Sequence, residues 1–208
     1  MKHPIETARR AVLFMAALAA VGAAVPAAQA AEVPFPGWTV KGDLTVAKLN
    51  QKVTLPPGSR FDGVLDTTTQ QLTGHVVVPR FTTRFTVLGV PADATLELVE
   101  AGPSTAKVVL GGTTTIDGQS AFVISIRRLS SPLLPLNLVG GSCRTSAPVV
   151  LPLHYKGPPD FVNGFTFTGV TTIPSLTGCG LATPLLNLLM AGPNNPFNIT
   201  IAPPPPAA

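Results

Sequence analysis

Two aspartates, four residues apart, are the first candidates for chemistry in this sequence. Asp62 and Asp66 occur in Phe61-Asp-Gly-Val-Leu-Asp66, and an even spacing places both side chains on one face of a regular strand. Paired carboxylates serve glycoside hydrolysis or bind calcium. Asp is also common at strand ends and turns, where it accepts hydrogen bonds from backbone amides. We favour this second interpretation.

Histidines and serines offer another route to chemistry. His75 and His154 each lie beside a strand-like run, and either imidazole has the chemistry of a general base. Ser120 and Ser142 follow glycines, but both lack the second glycine of the G-x-S-x-G motif. The sequence motifs of zinc proteases, P-loops and EF-hands are absent as well. We therefore expect a protein without catalytic activity, cofactor or metal.

The first thirty residues have the features of a cleavable secretory signal peptide. Lys2 and the Arg9-Arg10 pair are basic, an apolar run covers Ala11–Val25, and Ala28-Gln29-Ala30 is an A-x-A cleavage site. A transmembrane anchor is the less favoured alternative, because the apolar run is shorter than the ~20 residues that span a bilayer. The residues around the arginine pair fit the twin-arginine pattern poorly, so we prefer general secretion. We expect residues 1–30 to be removed and the mature protein to be secreted, without a transmembrane anchor.

The composition of the mature chain limits its partners. Removal of 30 residues from 208 leaves 178, which is the length of a single domain. The removed segment holds three of the 14 Lys/Arg and one of the 10 Asp/Glu, so 11 basic and nine acidic side chains remain. No basic cluster exceeds Arg127-Arg128, whereas binding to nucleic acid needs several clustered cations. We expect no nucleic-acid partner.

Alternation of apolar and polar residues predicts short β-strands throughout the mature chain, since side chains of a strand alternate between its faces. The clearest alternating runs start at Leu44, Phe85, Leu96, Phe122, Phe165 and Phe197. Gly- and Pro-containing turn signals separate the runs at Pro56-Pro57-Gly58, Thr73-Gly74, Gly89-Val90-Pro91, Gly102-Pro103, Gly111-Gly112, Asp117-Gly118, Gly140-Gly141, Lys156-Gly157-Pro158-Pro159 and Asn163-Gly164. This rhythm predicts an all-β fold, an antiparallel β-sandwich over residues 31–202. Residues 203–208 form a proline-rich tail that we expect to be disordered.

One short helix interrupts this pattern. Thr183 suits an N-cap, Pro184 the first helical position and Gly192 the stop signal. The segment between them is almost entirely apolar, so we expect it to be buried and to pack as part of the core. The alternative is a lid or lining for an apolar ligand, formed by four leucines of the segment: Leu185, Leu186, Leu188 and Leu189.

The two cysteines predict one disulfide. Cys143 and Cys179 are the only cysteines of the chain, and an isolated pair in an exported protein most simply forms a bridge. The bridge would connect the strand that begins near Arg144 to the segment entering the helix at Pro184. A zinc or redox site is disfavoured, because no C-x-x-C occurs and the remaining histidines fit no zinc spacing.

Several segments resemble a group of secreted proteins common in actinobacteria. The run from Gly63 to Pro79 is similar to the "LD…TG…LTG…lP" opening of that group, and its later half resembles the segments Pro135–Thr145, Phe165–Val170 and Leu176–Asn187. The resemblance covers most of residues 60–202. It implies an exported β-sandwich with one disulfide and no assigned activity. The shared residues are structural, so the resemblance assigns no functional residue.

These observations lead to two functional expectations. The first is a secreted, non-catalytic extracellular or cell-envelope protein, which follows from the export signal and from the missing catalytic motifs. The alternative is a carrier or binding module for an apolar envelope ligand, with non-covalent contact to the envelope or its lipids; the leucine-rich helix motivates it. A hydrolase using Asp62, Asp66 or His75 is a third hypothesis, which requires these side chains to converge in one cleft.

Overall fold

The computed structural model of the protein describes residues 31–87, 89–132 and 136–205. The predicted signal peptide and the last three residues lie outside this part of the chain. The described residues form thirteen strands and one α-helix: β1 Glu32–Val46, β2 Gln51–Thr54, β3 Arg60–Asp66, β4 Gln71–Val77, β5 Phe81–Val87, β6 Val90–Glu100, β7 Ser104–Val109, β8 Thr114–Ser130, β9 Arg144–Thr145, β10 Val149–Gly157, β11 Phe165–Ile173, β12 Leu176–Thr177, α1 Thr183–Met190 and β13 Gly192–Ala202. Short 3₁₀ turns cover Ala47–Leu49 and Gly180–Ala182.

All strands belong to one antiparallel sheet. Its hydrogen-bonded order is β11-β13-β1-β3-β4-β7-β8-β6-β5, and β10 pairs with β8. The sheet folds back on itself, because β10 also lies against β11, where Thr171 Oγ1 donates a hydrogen bond to the carbonyl of Val150 at 2.6 Å. The prediction of an all-β antiparallel sandwich with one short helix and one disulfide is confirmed. The six alternating runs all start inside strands, in β1, β5, β6, β8, β11 and β13.

The long strand β8 organises the two halves of the fold. Its first half pairs with β7 on one side and with β10 on the other. Its second half pairs with β6, and Ser125 pairs with Arg144 of β9. Because β7 pairs with residues 115–119 of β8 and β6 with residues 122–130, the two strands lie end to end along β8. The half of the sandwich near Ser130 therefore has different neighbours from the half near Thr114.

Each half has its own hydrophobic core. The larger core is built by strands β1, β3, β7, β8, β10, β11 and β13 and includes Trp38, which is 9% exposed. Trp38 stands edge-on to Phe35 and stacks on Phe165. The smaller core collects residues from β5, β6, β8, α1 and the disulfide. The helix and the disulfide therefore belong to the same half of the molecule.

Two predicted turns are wrong. Thr73-Gly74 lies inside β4, and Asp117-Gly118 lies inside β8. A Cβ atom at Gly74 would lie 2.5 Å from ring atoms of Phe61, and one at Gly118 would lie 2.4 Å from the Cβ of Ala106. Both glycines allow close packing within the sheet, so here the residue type reflects a tertiary contact and not a turn.

No helix of the described residues has the length and apolar character needed to cross a bilayer. Residues 203–205 have no regular secondary structure. The predicted disorder of the tail remains a prediction, as does the removal of residues 1–30.

Candidate functional site

Asp62 and Asp66 do not form a joint site. Asp62 accepts a hydrogen bond from the backbone of Gly37 at 2.7 Å. Asp66 accepts bonds from the amides of Thr68 and Thr69 at 2.8 and 3.0 Å in the turn after β3. The bond from the Thr69 amide is the main reason that the pKa of Asp66 lies below its usual value. Both carboxylates therefore accept bonds from backbone amides, as the second interpretation predicted, although the amide that Asp62 binds belongs to β1 and Asp62 also pairs with Arg60 at 3.2 Å.

His75 belongs to a chain of polar side chains that connects four strands, β4, β6, β7 and β8. Its Nδ1 lies 2.8 Å from Oε2 of Glu100, whose Oε1 accepts a bond from Ser104 at 3.1 Å. Ser104 Oγ lies 2.7 Å from Oγ of Ser120, and both serines are buried. In a catalytic triad the histidine contacts the nucleophile and the carboxylate stands behind it. Here the carboxylate lies between the histidine and the serine, so the histidine has no contact through which to activate a serine.

The remaining titratable candidates are also separate. His154 pairs with Asp117 at 2.8 Å on the surface, and Asp117 lies three strands across the sheet from Asp66, through Lys107 of β7 and Gln71 of β4. Among the described residues, no group of three or more His, Cys, Asp or Glu side chains is placed to hold a metal ion. The hydrolase hypothesis required convergence in one cleft. Asp62 and His75 lie opposite each other on β3 and β4, but neither of them, nor Asp66, lines any of the cavities described below.

The disulfide lies where the cysteine pair predicted it. Cys143 and Cys179 are joined and fully buried in the smaller core. The bridge connects the residue before β9 with the residue before the 3₁₀ turn Gly180–Ala182, which leads directly into α1. The carbonyl of Cys143 accepts a bond from the amide of Ile126 at 2.9 Å. The disulfide thereby attaches the start of the helix to strand β8.

Asn187, the polar residue in the middle of helix α1, attaches the helix to β12. Asn187 Nδ2 donates to the carbonyl of Leu176 at 3.1 Å, and its Oδ1 accepts a bond from the amide of the same residue. The helix begins at Thr183 and not at Pro184, so the predicted N-cap is itself helical; its hydroxyl donates to the carbonyl of Gly180. The helix ends at Met190, before Gly192. These contacts fix α1 against β12 and the disulfide.

The prediction that this helix is buried is wrong for half of its leucines. Leu186 is 6% exposed, whereas Leu185 is 46% and Leu188 68% exposed. A helix that is apolar on all sides usually has neighbours all round. Here the sandwich covers one side, and no described residue covers the side that carries Leu188.

A cavity of about 350 Å³ lies between α1 and the sheet. Three of the four leucines proposed from the sequence line it: Leu185, Leu186 and Leu189. Leu188 does not. The sheet supplies the opposite wall from β5, β6 and β8, and further lining residues are Leu49, Phe85, Val90, Ala92, Ala94, Ile126, Leu129, Ser131, Leu138 and Met190. We call this cavity the helix pocket.

The lining of the helix pocket is almost entirely hydrocarbon. Ser131 is the one polar side chain among the lining residues, and none of them is titratable. Strand alternation explains this: Ala92 and Ala94 face the pocket, while Asp93 between them faces outward and forms two hydrogen bonds with Arg84 at 2.8 and 3.2 Å. These bonds hold the pKa of Asp93 below its usual value. The same strands thus present hydrocarbon on one face and ion pairs on the other.

A second charged group marks the same outer face. Glu97 of β6 accepts a bond from Arg127 of β8 and another from Arg80 at 3.1 Å. The bond from Arg127, and then the bond from Arg80, lower the pKa of Glu97. This network ties β6 to β8 behind the pocket, so the sheet wall is braced from its outer side.

The helix pocket differs from the cavities inside the two cores. Those cavities measure about 60 and 80 Å³ and are lined by the core residues themselves. They are typical of packing defects, whereas ligand pockets start at ~300 Å³. An open groove of about 410 Å³ also occurs beside β10 and β11, but prolines and polar residues line much of it. The helix pocket is the large apolar cavity of the described structure.

Sequence reasoning missed most of the pocket wall. The alternation in β6 and β8 predicted one apolar face for each strand, but not that this face continues beyond the core at Ala92 and Leu129. The nearest sequence signal was the apolar segment after Ser130, which includes Leu138. Such a segment next to a predicted apolar helix is a reasonable indicator of a shared cavity.

In comparisons with protein-family models, with curated proteins and with solved structures, the chain has no match of any of the three kinds. The resemblance to actinobacterial secreted proteins therefore stays a prediction. Functional inference rests on the geometry of the described residues.

Proposed function

We propose that this protein is a secreted, non-catalytic protein of the extracellular space or cell envelope, and that it binds an apolar ligand in the helix pocket. The helix pocket itself is the observation that carries the proposal. Export is supported by the signal-like features of residues 1–30. It is also supported by the disulfide, since such bridges persist in oxidising compartments.

The size of the pocket supports a ligand of lipid-like chemistry. Its volume of about 350 Å³ is roughly twice the ~150 Å³ of an apolar cavity that holds benzene. A cavity lined by Leu, Ile, Phe and Met side chains attracts hydrocarbon, because water inside it would find too few hydrogen-bond partners. A segment of a lipid acyl chain or a comparable apolar molecule fits this volume.

The chemistry of the lining supports binding over turnover. A general acid or base must reach the reacting group within hydrogen-bond distance, and the lining offers only the hydroxyl of Ser131. The nearest charged pairs, such as Arg84 with Asp93, lie on the other face of the sheet. A bound apolar molecule would therefore be held and shielded without being altered.

The proposal is tested by titration with N-phenylnaphthylamine, an apolar fluorophore whose emission increases in apolar surroundings. The exported protein should enhance the emission at a saturable site. Ala92→Phe should weaken probe binding by at least about tenfold, because Ala92 is 8% exposed and faces the pocket, so the larger ring would occupy the cavity. The urea midpoint should change little, since the ring enters vacant space.

A matched control places the same ring elsewhere. Thr172 lines the open groove beside β10 and β11, and Thr172→Phe should leave probe binding unchanged. Absence of saturable binding by the unaltered protein would contradict the proposed ligand site and leave a role in which the protein acts through its surface. Equal losses in both variants would place the probe outside the helix pocket.

A further inference from the structure

The side of α1 that faces away from the sandwich presents leucines to the surroundings. Leu185 and Leu188 are 46% and 68% exposed and share one helix face, since they are three residues apart. Leu181, in the 3₁₀ turn before the helix, is fully exposed and precedes Leu185 by four residues. We call these three side chains the leucine face. Exposed clusters of this kind mark interaction sites.

The leucine face is continuous with the mouth of the helix pocket. Leu185 belongs to both, because it is 46% exposed and also lines the cavity. On the sheet side of the mouth, Leu138 is 40% and Val90 38% exposed, and both line the cavity. The leucine face and the mouth of the pocket therefore share Leu185.

The segments that carry the leucine face and Leu138 contain no charged residue. The chain carries no Asp, Glu, Lys, Arg or His between Phe161 and Ala208, which includes the whole helix. The segment from Leu129 to Cys143, which contributes Leu138, has none either. A protein or nucleic-acid partner would normally be recognised through polar rim contacts, whereas binding to a lipid interface scales with the apolar area that is buried there.

A lysine lies near the C-terminal end of the helix that carries the leucine face. Lys48 is exposed in the 3₁₀ turn Ala47–Leu49, next to Leu49 of the pocket lining. It lies at the C-terminal side of the helix, since a Cβ atom at Gly192 would be 3.1 Å from its Cε. Lys48 forms no ion pair with any described residue, and no acidic side chain occurs in the helix. An apolar face flanked by a long basic side chain suits the interface of a phospholipid membrane, where the ammonium reaches anionic headgroups.

We propose that the leucine face docks on a phospholipid surface and that the apolar ligand enters the helix pocket from that surface. This inference rests on the proposed function, since it assigns the route by which the ligand of that pocket is exchanged. Leu181, Leu185 and Leu188 would enter the outer part of the bilayer, and the mouth between Leu138 and Leu185 would open towards the acyl chains. The ligand would then not need to cross water.

The test is co-sedimentation of the exported protein with phosphatidylcholine vesicles, with and without phosphatidylglycerol. The unaltered protein should bind, and the anionic lipid should strengthen binding modestly through Lys48. Leu188→Ser should weaken binding by roughly tenfold, because the side chain would lose most of its transfer into hydrocarbon. Leu188 does not line the pocket, so this variant should still bind soluble N-phenylnaphthylamine normally.

Val162 provides a matched control. It is 82% exposed and lies between β10 and β11, at the Thr114 end of β8. Val162→Ser should leave vesicle binding unchanged. An equal loss in this control would show non-specific adsorption and would overturn the assignment to the leucine face.

The two proposals fail in different ways. Normal probe binding without any vesicle binding would overturn the docking inference and leave the proposed function standing. Vesicle binding without probe binding would contradict the proposed ligand site and therefore also the proposed exchange route. Light scattering tests whether the leucine face binds a second copy of the chain. A dimer that is lost in Leu188→Ser, in a protein that does not bind vesicles, would assign the face to a second copy and overturn the inference.

Discussion

Replacement of both Cys143 and Cys179 by alanine should lower the free energy of unfolding by about 4 kcal/mol. The two cysteines are 36 residues apart in sequence, and the chain-entropy relation assigns roughly this amount to a loop of that length. Both residues are buried in the smaller core, so their loss also removes packing there. The substitution should therefore destabilise the half of the molecule that contains α1.

The assay is urea unfolding of the oxidised protein and of the double variant, followed by tryptophan fluorescence and far-UV circular dichroism. With a slope of about 2 kcal/mol per molar urea, the midpoint should fall by about 2 M. Trp38 lies in the larger core, so its fluorescence reports the half that lacks the disulfide. Coincident transitions of the two signals would show that both halves unfold together.

The control is the addition of a reductant. It should shift the midpoint of the unaltered protein towards that of the double variant and leave the double variant unchanged. Probe binding should weaken in the double variant at urea concentrations well below unfolding, because the bridge attaches the start of α1 to β8. A midpoint change equivalent to less than about 1 kcal/mol would refute the reasoning, since the loop constraint alone exceeds that value.

Three further predictions address single interactions. Asn187→Ala should lower the free energy of unfolding by about 2 kcal/mol, because the amide and the carbonyl of Leu176 would both lose their side-chain partner. The same variant should weaken N-phenylnaphthylamine binding. Unchanged probe binding would show that this contact does not shape the pocket. Thr114→Val should raise the free energy of unfolding by about 1 kcal/mol, measured by urea unfolding. The buried Oγ1 of Thr114 has no hydrogen-bond partner among the described residues, and valine removes the cost of burying this hydroxyl. A lower urea midpoint would contradict this. The folded pKa of Asp93 lies below its unfolded value because of the hydrogen bond from Arg84, so its contribution is present above about pH 4 and is lost as the pH falls through the folded pKa. Urea midpoints should therefore fall below about pH 4, and less steeply in Asp93→Asn; identical profiles would refute the assignment.

The strands of this fold could be predicted because their signal is local. Alternation at Phe122, Ile124 and Ile126 reports one face of β8 whatever lies opposite. The disulfide could be predicted because the chain holds only two cysteines. Neither inference required knowledge of which strands are neighbours.

The wrong predictions concern residues whose environment is set by distant parts of the chain. Gly74 and Gly118 are turn-forming types, yet close approach of Phe61 and Ala106 explains them. The helix sequence predicted burial, but burial depends on what covers a surface, and Leu188 is 68% exposed. The sequence indicated only the helix side of the helix pocket, because the strands that form its sheet wall, β5, β6 and β8, are far from the helix along the chain.

The most direct test of the apolar-ligand proposal is the mass of the protein recovered from its exporting host, measured natively and then after denaturation. The account predicts a native adduct of lipid-like mass that is lost on denaturation and is absent from Ala92→Phe. A bare native mass for the unaltered protein, together with no saturable binding of N-phenylnaphthylamine, would contradict it.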